Sequence, residues 1–229
     1  MARKISKSSS FITIVILLAA LGLWISDISR SGESASETGS TSSAQSATIS
    51  SKPGRTGSFE TFRGCELVTH RSNDGDSFKV RFPDGRTEIL RLYFVDAPES
   101  AFKTYRNGQN NHERIAEQAA YFDRITSDQA VKIGRQAKSF TLALLGKTDF
   151  TVHTKWDSPF NDQRYHAFIE MGSGENKQFL HELLVEKGLA RIHTKGAVLP
   201  GGTPYQTQKK HLFEIQRRAK SKPVGAWGL

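Results

Sequence analysis

The sequence predicts an α+β fold, a five-stranded β-barrel with about three packed helices, in residues 59–229. Two observations predict it. Five short segments carry the pattern of strands, and three later segments repeat apolar residues at helical spacing. The chain has 229 residues, of which 37% are hydrophobic and 24% charged, close to an ordinary globular protein. This composition excludes a wholly disordered chain and a polytopic membrane protein.

The predicted strands are short and are separated by turn signals. Residues 77–82 alternate polar and apolar side chains, which indicates a strand with one buried face. Pro83-Asp84-Gly85 then predicts a turn, because proline presets φ and glycine permits a positive φ. The other strands are predicted at residues 64–69, 87–95, 150–154 and 165–171.

Three helices are predicted after the first hairpin. Apolar residues recur at helical spacing from 133 to 144, and Gly146 lies where a helix-ending glycine is expected. A short helix near residues 180–184 is closed by Gly188, and Thr203-Pro204 is typical of the N-cap and first turn of a last helix. An inserted segment between residues 99 and 131 has room for an extra helix at 115–122. Five strands interrupted and followed by helices favour the OB-type barrel.

The first 29 residues have the pattern of a targeting segment. Arg3, Lys4 and Lys7 precede an apolar run at residues 11–25, as at the start of a secretory signal. A cleaved signal peptide and an uncleaved signal anchor both fit, whereas the alternative of a buried core helix conflicts with the lack of an amphipathic period. Residues 30–58 are rich in Ser, Thr, Gly and Ala and predict a flexible linker. The domain is therefore expected to be secreted, periplasmic or anchored to the outer face of the cytoplasmic membrane.

The net charge indicates the kind of binding partner, and the cysteine content limits the disulfides and metal sites that the chain can form. Lys and Arg number 32 against 23 Asp and Glu, a net charge of +9, and only nine of these charged residues precede residue 59. A basic domain favours polyanionic partners such as nucleic acid or anionic lipid. The single cysteine, Cys65, excludes an intramolecular disulfide and argues against a zinc site built from cysteines.

Two acidic motifs flank the predicted hairpin. Asp74-Gly75-Asp76 precedes it and Asp96-Ala97-Pro98-Glu99 follows it. If residues whose numbers sum to about 169 face each other, Asp96 lies opposite Asn73, and both motifs end at the same edge. Converging carboxylates repel unless a cation or proton joins them, and oxygen-only ligands suit Ca²⁺ or Mg²⁺. Taken singly, the first motif is also compatible with a plain turn and the second with a loop or helix entry.

Arg91 interrupts an otherwise apolar strand. The same pairing places it opposite Phe78, one step from Asp76. An arginine on a largely apolar strand is usually either a rim residue or paired with an anion. For a paired arginine two interpretations remain: an ion pair with a carboxylate, or a phosphate ligand beside a bound metal.

These motifs together resemble the signature stretches of the thermonuclease (staphylococcal nuclease-like) family. The resemblance starts at Asp74-Gly75-Asp76-Ser77 and at residues 91–99, and continues through Arg164 with residues 167–169, residues 184–190 and Gly225-Ala226-Trp227. It implies an OB-fold barrel with helices and a Ca²⁺-dependent phosphodiesterase acting on DNA and RNA. Such enzymes cut the bond to the 5′ oxygen and leave 3′-phosphate ends.

The resemblance also implies a role for each matching residue. Asp76 and Asp96 match carboxylate ligands of the metal, and Ala97 matches the ligand that binds through its backbone carbonyl. Glu99 matches the residue that activates or orients the attacking water. Arg91 and Arg164 match the arginines that hold the phosphate, and Asp74 is expected to support the metal site from behind.

The sequence departs from the family pattern at two places. Asp162-Gln163 precedes Arg164 where the family prototype has Tyr-Gly, and residues 192–196 lack the tyrosines that help to form its nucleotide pocket. Two functions therefore remain open: an exported nuclease, expected to be a monomer, and an OB-fold module of weak or no activity that binds nucleic acid or a protein partner. A membrane-tethered protein whose basic surface binds anionic lipid is a third possibility.

Overall fold

The computed structural model of the chain describes residues 53–123, 125–159, 162–172 and 174–229, without the side chain of Glu175. The predicted signal or anchor at residues 1–29 and most of the predicted linker at residues 30–58 lie outside this part of the chain. Among the described residues, none of the helices has both the length and the apolar character needed to cross a membrane.

In the described part of the chain, nine strands and four α-helices follow one another. The strands are β1 (Gly54–Thr56), β2 (Phe59–Leu67), β3 (Ser77–Arg81), β4 (Thr87–Leu92), β5 (Val95–Asp96), β6 (Phe150–Thr154), β7 (Arg164–Met171), β8 (Gln178–Phe179) and β9 (Arg191–Ile192). The helices are α1 (His112–Tyr121), α2 (Ser127–Leu145), α3 (Leu180–Glu186) and α4 (Tyr205–Ser221).

Five of these strands close into a barrel, which confirms the predicted fold class. Their order is β2-β3-β4-β7-β6, and β6 pairs back onto β2. The pairing of β4 with β7 is parallel and the other four pairings are antiparallel. Strand β1 adds to the edge of β2 and lies within the range that the sequence assigns to the linker. Strand β8 extends β7, and β5 pairs with β9 in a separate two-stranded sheet.

Strand β2 is longer than predicted because it bends at a bulge. Its pairing with β6 shifts register between Phe62 and Cys65, and Gly64 between them has a φ of 72°. Glycine adopts this backbone conformation without a side-chain clash, so the strand can bend and continue. The residues before the bulge pair with β6, whereas Glu66 and Leu67 pair with β3. The bulge therefore lets one strand close the barrel.

The β3–β4 hairpin differs by one residue from the predicted register. Phe82 and Arg86 flank the three-residue turn, and the Phe82 amide donates to the Arg86 carbonyl at 2.9 Å. Gly85 takes a φ of 87° within the turn. Facing residues consequently have numbers that sum to 168, and Arg91 pairs with Ser77 rather than Phe78.

The predicted strand at residues 87–95 is interrupted at Phe94. This residue has a φ of 68°, which is uncommon for a bulky side chain, and separates β4 from β5. Its amide donates to the Lys195 carbonyl at 2.9 Å, and its carbonyl accepts from the His193 amide at 2.8 Å. The turn at Phe94 directs the chain away from the barrel and toward β9.

The helices agree with the sequence except at their ends. Helix α1 lies in the inserted segment, where the sequence has room for an extra helix, and it is the fourth α-helix among the residues that the structure describes. Helix α2 begins with a capping box between Thr126 and Gln129, but Gly146 keeps a right-handed φ of −80° and is not a left-handed cap. Pro204 is itself the N-cap of α4, with an extended ψ of 147°, so Thr203 does not cap the helix.

The barrel core is rich in aromatic side chains. Phe59 packs edge to face against Phe168 with ring centroids 5.5 Å apart, and Phe62 packs in the same way against Phe82 at 4.9 Å. Cys65 lies fully buried in the same core, and burial raises the pKa of its thiol to about 12. Contacts of this kind bury large apolar areas and fix the barrel that carries the acidic motifs.

Acidification is expected to destabilise the fold through His181. This side chain is fully buried against Phe94, with ring centroids 5.7 Å apart, and burial lowers its pKa to about 3. An unfolded histidine titrates near 6.5, so below that pH the unfolded chain binds a proton that the folded chain refuses. The free energy of unfolding should therefore fall as the pH drops from 6.5 toward 3, by up to about 1.4 kcal/mol per pH unit from this residue.

Urea unfolding of the His181→Phe variant at several pH values checks this expectation. The variant keeps an aromatic ring and should show a shallower decrease in stability below pH 6.5. His211→Gln removes a half-exposed histidine of α4 and serves as the control, with a profile close to the parent. An unchanged slope in His181→Phe would contradict the assignment.

Candidate active site

The two acidic motifs meet at one end of the β3–β4 hairpin. Asp76 comes directly before β3, and Arg91 is the last residue but one of β4. The two strand ends are joined there, because the Leu92 amide donates to the Asp76 carbonyl at 2.9 Å. Strand β5, which follows the turn at Phe94, then brings Asp96 to the same end. The Arg91 guanidinium joins the two carboxylates, because its Nη2 lies 2.8 Å from Asp96 Oδ1 and 3.6 Å from Asp76 Oδ2.

Asp96 is the most enclosed group of the site. Its Oδ1 accepts hydrogen bonds from Arg91 Nη2 at 2.8 Å and from Arg114 Nη2. Its Oδ2 accepts from Arg191 Nε at 2.8 Å and from Gln118 Nε2 at 3.0 Å. Burial by itself would raise the pKa of this carboxyl group, but the three guanidiniums and the amide outweigh it and lower the pKa below its usual range. Asp96 is therefore ionised and saturated with donors.

Asp76 lies in a less favourable environment. Its Oδ2 accepts a hydrogen bond from the Ala97 amide at 3.1 Å. Burial, together with the neighbouring charges of Asp96 and Asp74, outweighs Arg91 and raises the pKa of Asp76 to about 6. Asp74 turns away, accepting from the Gly75 amide at 2.9 Å and from Ser100 Oγ at 3.1 Å. The site thus holds one carboxylate whose negative charge the fold stabilises and one whose charge it does not.

Helix α2 supports both acidic loops through small residues. Thr141 Oγ1 donates to the Gly75 carbonyl at 2.8 Å, and a side chain at Gly75 would lie 2.8 Å from the Cβ atoms of Ala137 and Ala97. Gly134 packs still closer, because a Cβ atom there would lie 2.4 Å from the carbonyl oxygens of residues 98 and 99. Real Cβ atoms do not approach backbone this closely, so glycine at both positions lets the helix hold the loops in place.

Glu99 lies at the rim of the site. Its Oε1 accepts from Arg114 Nε at 3.1 Å, and its Oε2 lies 3.6 Å from Lys103 Nζ and 3.5 Å from Asn111 Nδ2. Its amide donates to Gln118 Oε1 at 3.0 Å. The side chain is partly exposed, in contrast to Asp96, so solvent reaches this carboxylate.

Arg164 begins the strand beside β4. Strand β7 runs parallel to β4 with Arg164 opposite Ile89, and Arg164 Nη1 lies 3.4 Å from Ser77 Oγ. The guanidinium is also bound by Asp162, through Nε at 2.9 Å and through Nη2. The structure therefore brings all six predicted site residues to one end of the barrel. Arg164 is held there by Asp162, which stands where the family prototype has the tyrosine of Tyr-Gly.

Three residues at the centre of this site have no counterpart in the sequence analysis. Arg114 and Gln118 lie on α1, in an insertion without recognisable motifs, and no pattern in the sequence connects them to Asp96. Arg191 directly follows Leu189 and Ala190, precedes Ile192 and is buried, so its signal resembles that of Arg91: a charge among apolar neighbours.

The site has buried guanidinium donors in excess. Within the described part of the chain, Arg91 Nε and Arg191 Nη2 are buried and have no hydrogen-bond partner. Unpaired buried donors are costly, and an anion close to them would lower that cost. The arrangement is suited to holding a phosphate beside a pair of carboxylates.

The carboxylates also have the chemistry of a site for a hard cation. Asp76 and Asp96 are close enough for one guanidinium nitrogen to contact both, and Ala97 contributes a carbonyl beside them. This donor set consists only of oxygen atoms, which is what Ca²⁺ prefers. The described residues contain no group of three or more His, Cys, Asp or Glu side chains that could hold a metal ion.

Comparison with known proteins identifies the family of this chain and agrees with its fold. The family model described as staphylococcal nuclease homologue (SNase) matches residues 89–228, which is more than half of the chain. The match includes Arg91, Asp96, Glu99 and Arg164 and begins after Asp76. No curated protein matches the sequence. The chain belongs to the staphylococcal nuclease family.

Proposed function

We propose that this protein is an exported, Ca²⁺-dependent nuclease that hydrolyses phosphodiester bonds in DNA, RNA or both. Members of the staphylococcal nuclease family are generally phosphodiesterases and are typically calcium-dependent. The observation that supports the proposal best is the convergence of Asp76, Asp96 and Arg91 on a single point, with Glu99 beside it. The net charge of +9 agrees with a polyanionic substrate.

Ca²⁺ would be held by Asp76, Asp96 and the Ala97 carbonyl. Once bound, it would neutralise negative charge on the phosphate oxygens. Asp76 is expected to be the more sensitive ligand, because burial already opposes its ionised form. Asp74 contributes through the loop, since its two hydrogen bonds fix the turn that presents Asp76.

The arginines and Glu99 would do the remaining chemistry. Arg91 would orient the phosphate through its fork of donors, of which Nε is buried without a partner. Arg164 is the expected second contact, and Asp162 already holds two of its three guanidinium nitrogens. Glu99 is partly exposed at the rim and would take a proton from the attacking water, or hold that water in line with the phosphorus atom.

Cleavage of a labelled oligonucleotide with Ca²⁺ or with a chelator tests the proposal. We expect Ca²⁺-dependent cleavage that leaves 3′-phosphate ends. Asp76→Asn should reduce both Ca²⁺ affinity, measured by calorimetry, and the cleavage rate. Asp84→Asn changes a carboxylate in the turn at the opposite end of the hairpin and should behave like the parent.

Binding of the oligonucleotide without cleavage would instead support the second candidate function, an OB-fold module for nucleic acid. The contact between Asp162 and Arg164 favours this alternative, because it engages one of the two expected phosphate ligands. The Asp162→Tyr variant would release Arg164 from this ion pair. A gain of cleavage in that variant would show that the ion pair is what prevents cleavage in the parent.

Export is proposed from the sequence alone. The basic start, apolar run and polar linker at residues 1–58 predict a catalytic domain beyond the cytoplasmic membrane. Cell fractionation tests this, and recovery of the full-length chain from the cytoplasmic soluble fraction would contradict it.

A further inference from the structure

Helix α1 places two donors over the acidic motif. Arg114 and Gln118 are four residues apart and share one face of the helix. Ile115 and Ala119 pack against Ala130 and Val131 of α2, which attaches α1 to the helix that supports the acidic loops. Both donors therefore come from the inserted segment and are delivered by packing outside the barrel.

These donors contact most of the oxygen atoms that a cation would use. Arg114 Nη2 donates to Asp96 Oδ1, and Arg114 Nε donates to Glu99 Oε1 at 3.1 Å. Gln118 Nε2 donates to Asp96 Oδ2 at 3.0 Å and to the Ala97 carbonyl at 3.1 Å. Two of the three expected Ca²⁺ ligands, Asp96 and Ala97, thus accept hydrogen bonds from α1, and Asp76 accepts none of these four.

Arg114 differs from the other two arginines around Asp96. The side chains of Arg91 and Arg191 are 9% and 5% exposed and lie on strands, whereas that of Arg114 is 39% exposed and lies on a surface helix. A half-exposed guanidinium leaves a carboxylate at less cost, because water replaces its lost hydrogen bonds. Arg114 is thus the one of these three cations that can withdraw without exposing the core.

We propose that Arg114 competes with Ca²⁺ for Asp96, so that α1 sets the calcium affinity of this site. The proposal depends on the proposed function only in taking Ca²⁺ as the ligand of Asp76, Asp96 and Ala97. A guanidinium and a divalent cation on the same carboxylate oxygen repel each other. Ca²⁺ therefore binds more weakly while Arg114 adds its charge to that of Arg91 on Asp96 Oδ1, and the apparent affinity falls with the fraction of molecules in which Arg114 occupies this oxygen.

The same contacts restrain Glu99. Arg114 bridges the carboxylate expected to bind the cation and the carboxylate expected to prepare the water, with one nitrogen on each. When Arg114 withdraws, Asp96 keeps Arg91 and Arg191, whereas the cation that remains near Glu99 is Lys103, at 3.6 Å. Cation binding and the release of Glu99 are therefore coupled through one side chain of the insertion.

Calorimetric titration of the full-length chain with Ca²⁺ alone, in the absence of nucleic acid, tests the proposal. Arg114→Ala should bind Ca²⁺ at least tenfold more tightly than the parent, and its Ca²⁺-dependent increase in Tm should be larger. Arg135→Ala is the matched control. Arg135 is exposed and donates to the Ser100 carbonyl at 3.2 Å, so its replacement removes the same charge near the site without changing a contact to an expected carboxylate ligand. Its affinity should stay within about twofold of the parent.

Equal affinities for Arg114→Ala and Arg135→Ala would overturn the proposal, since the gain would then reflect net charge alone. Arg114→Gln, which keeps a polar stem but no charge, provides a second variant if circular dichroism shows that Arg114→Ala is unfolded, and the same gain is expected. Tighter Ca²⁺ binding without oligonucleotide cleavage would support this proposal while contradicting the nuclease assignment. Oligonucleotide cleavage together with an unchanged Ca²⁺ affinity of the Arg114 variants would support the nuclease assignment and contradict this proposal.

Discussion

Replacing Glu99 by glutamine is expected to lower kcat for oligonucleotide cleavage by about 10²–10⁴-fold, the range typical of a lost general base. Glutamine keeps the length and shape of the side chain but cannot accept a proton from water. Substrate affinity should change much less, because Glu99 is not among the groups expected to hold the phosphate. Single-turnover cleavage at saturating enzyme separates the two quantities.

Glu113→Gln is the control for this measurement. Glu113 is an exposed carboxylate in the first turn of α1, so its replacement changes charge near the site without changing the site. Its kcat should remain close to that of the parent. A folded Glu99→Gln variant with near-normal kcat would exclude Glu99 as the base and would favour the nucleic-acid-binding module.

Replacing Asp96 by asparagine is expected to lower the free energy of unfolding by about 3–5 kcal/mol, as when one partner of a buried ion pair is removed. Asp96 is fully buried between the guanidiniums of Arg91, Arg114 and Arg191. Asparagine removes the one carboxylate that all three guanidiniums contact, and its amide group adds a donor where the neighbours are also donors. Urea denaturation measures the change without adding salt.

Two other variants bracket this result. Asp123→Asn removes a surface ion pair with Lys220 and should cost no more than about 1 kcal/mol. Asp76→Asn should largely retain the fold, because burial raises the pKa of Asp76 and neutralising the group removes a charge that the fold does not favour. A cost below about 1 kcal/mol for Asp96→Asn would show that the three arginines do not depend on Asp96.

The sequence predicts the parts of the site that belong to regular strands. The hairpin has a recognisable turn at Pro83-Asp84-Gly85, and a turn fixes which residues meet at the open end. Asp76, Arg91 and Asp96 could therefore be placed near one another before their contacts were known. The error of one residue in register came from the exact centre of the turn, and it moved the partner of Arg91 from Phe78 to Ser77.

The contacts that come from outside the barrel could not be predicted in this way. Helix α1 reaches Asp96 because Ile115 and Ala119 pack on α2, and this is a tertiary contact between segments with ordinary amphipathic patterns. Phe94 likewise reads as part of a continuous apolar strand. Its positive φ is fixed by hydrogen bonds to Lys195 and His193, about 100 residues later in the chain.

The bulge at Gly64 places the only thiol of the chain, Cys65, in the barrel wall at the point of closure. A thiol reagent can reach this sulfur only when β2 separates from β6, and no second cysteine competes for the reagent. When the strands reclose faster than the reagent reacts, the modification rate reports the equilibrium population of opened barrels. The chain thus contains a single-site chemical probe of barrel opening, which can be read in the presence or absence of Ca²⁺ without a label that perturbs the acidic end.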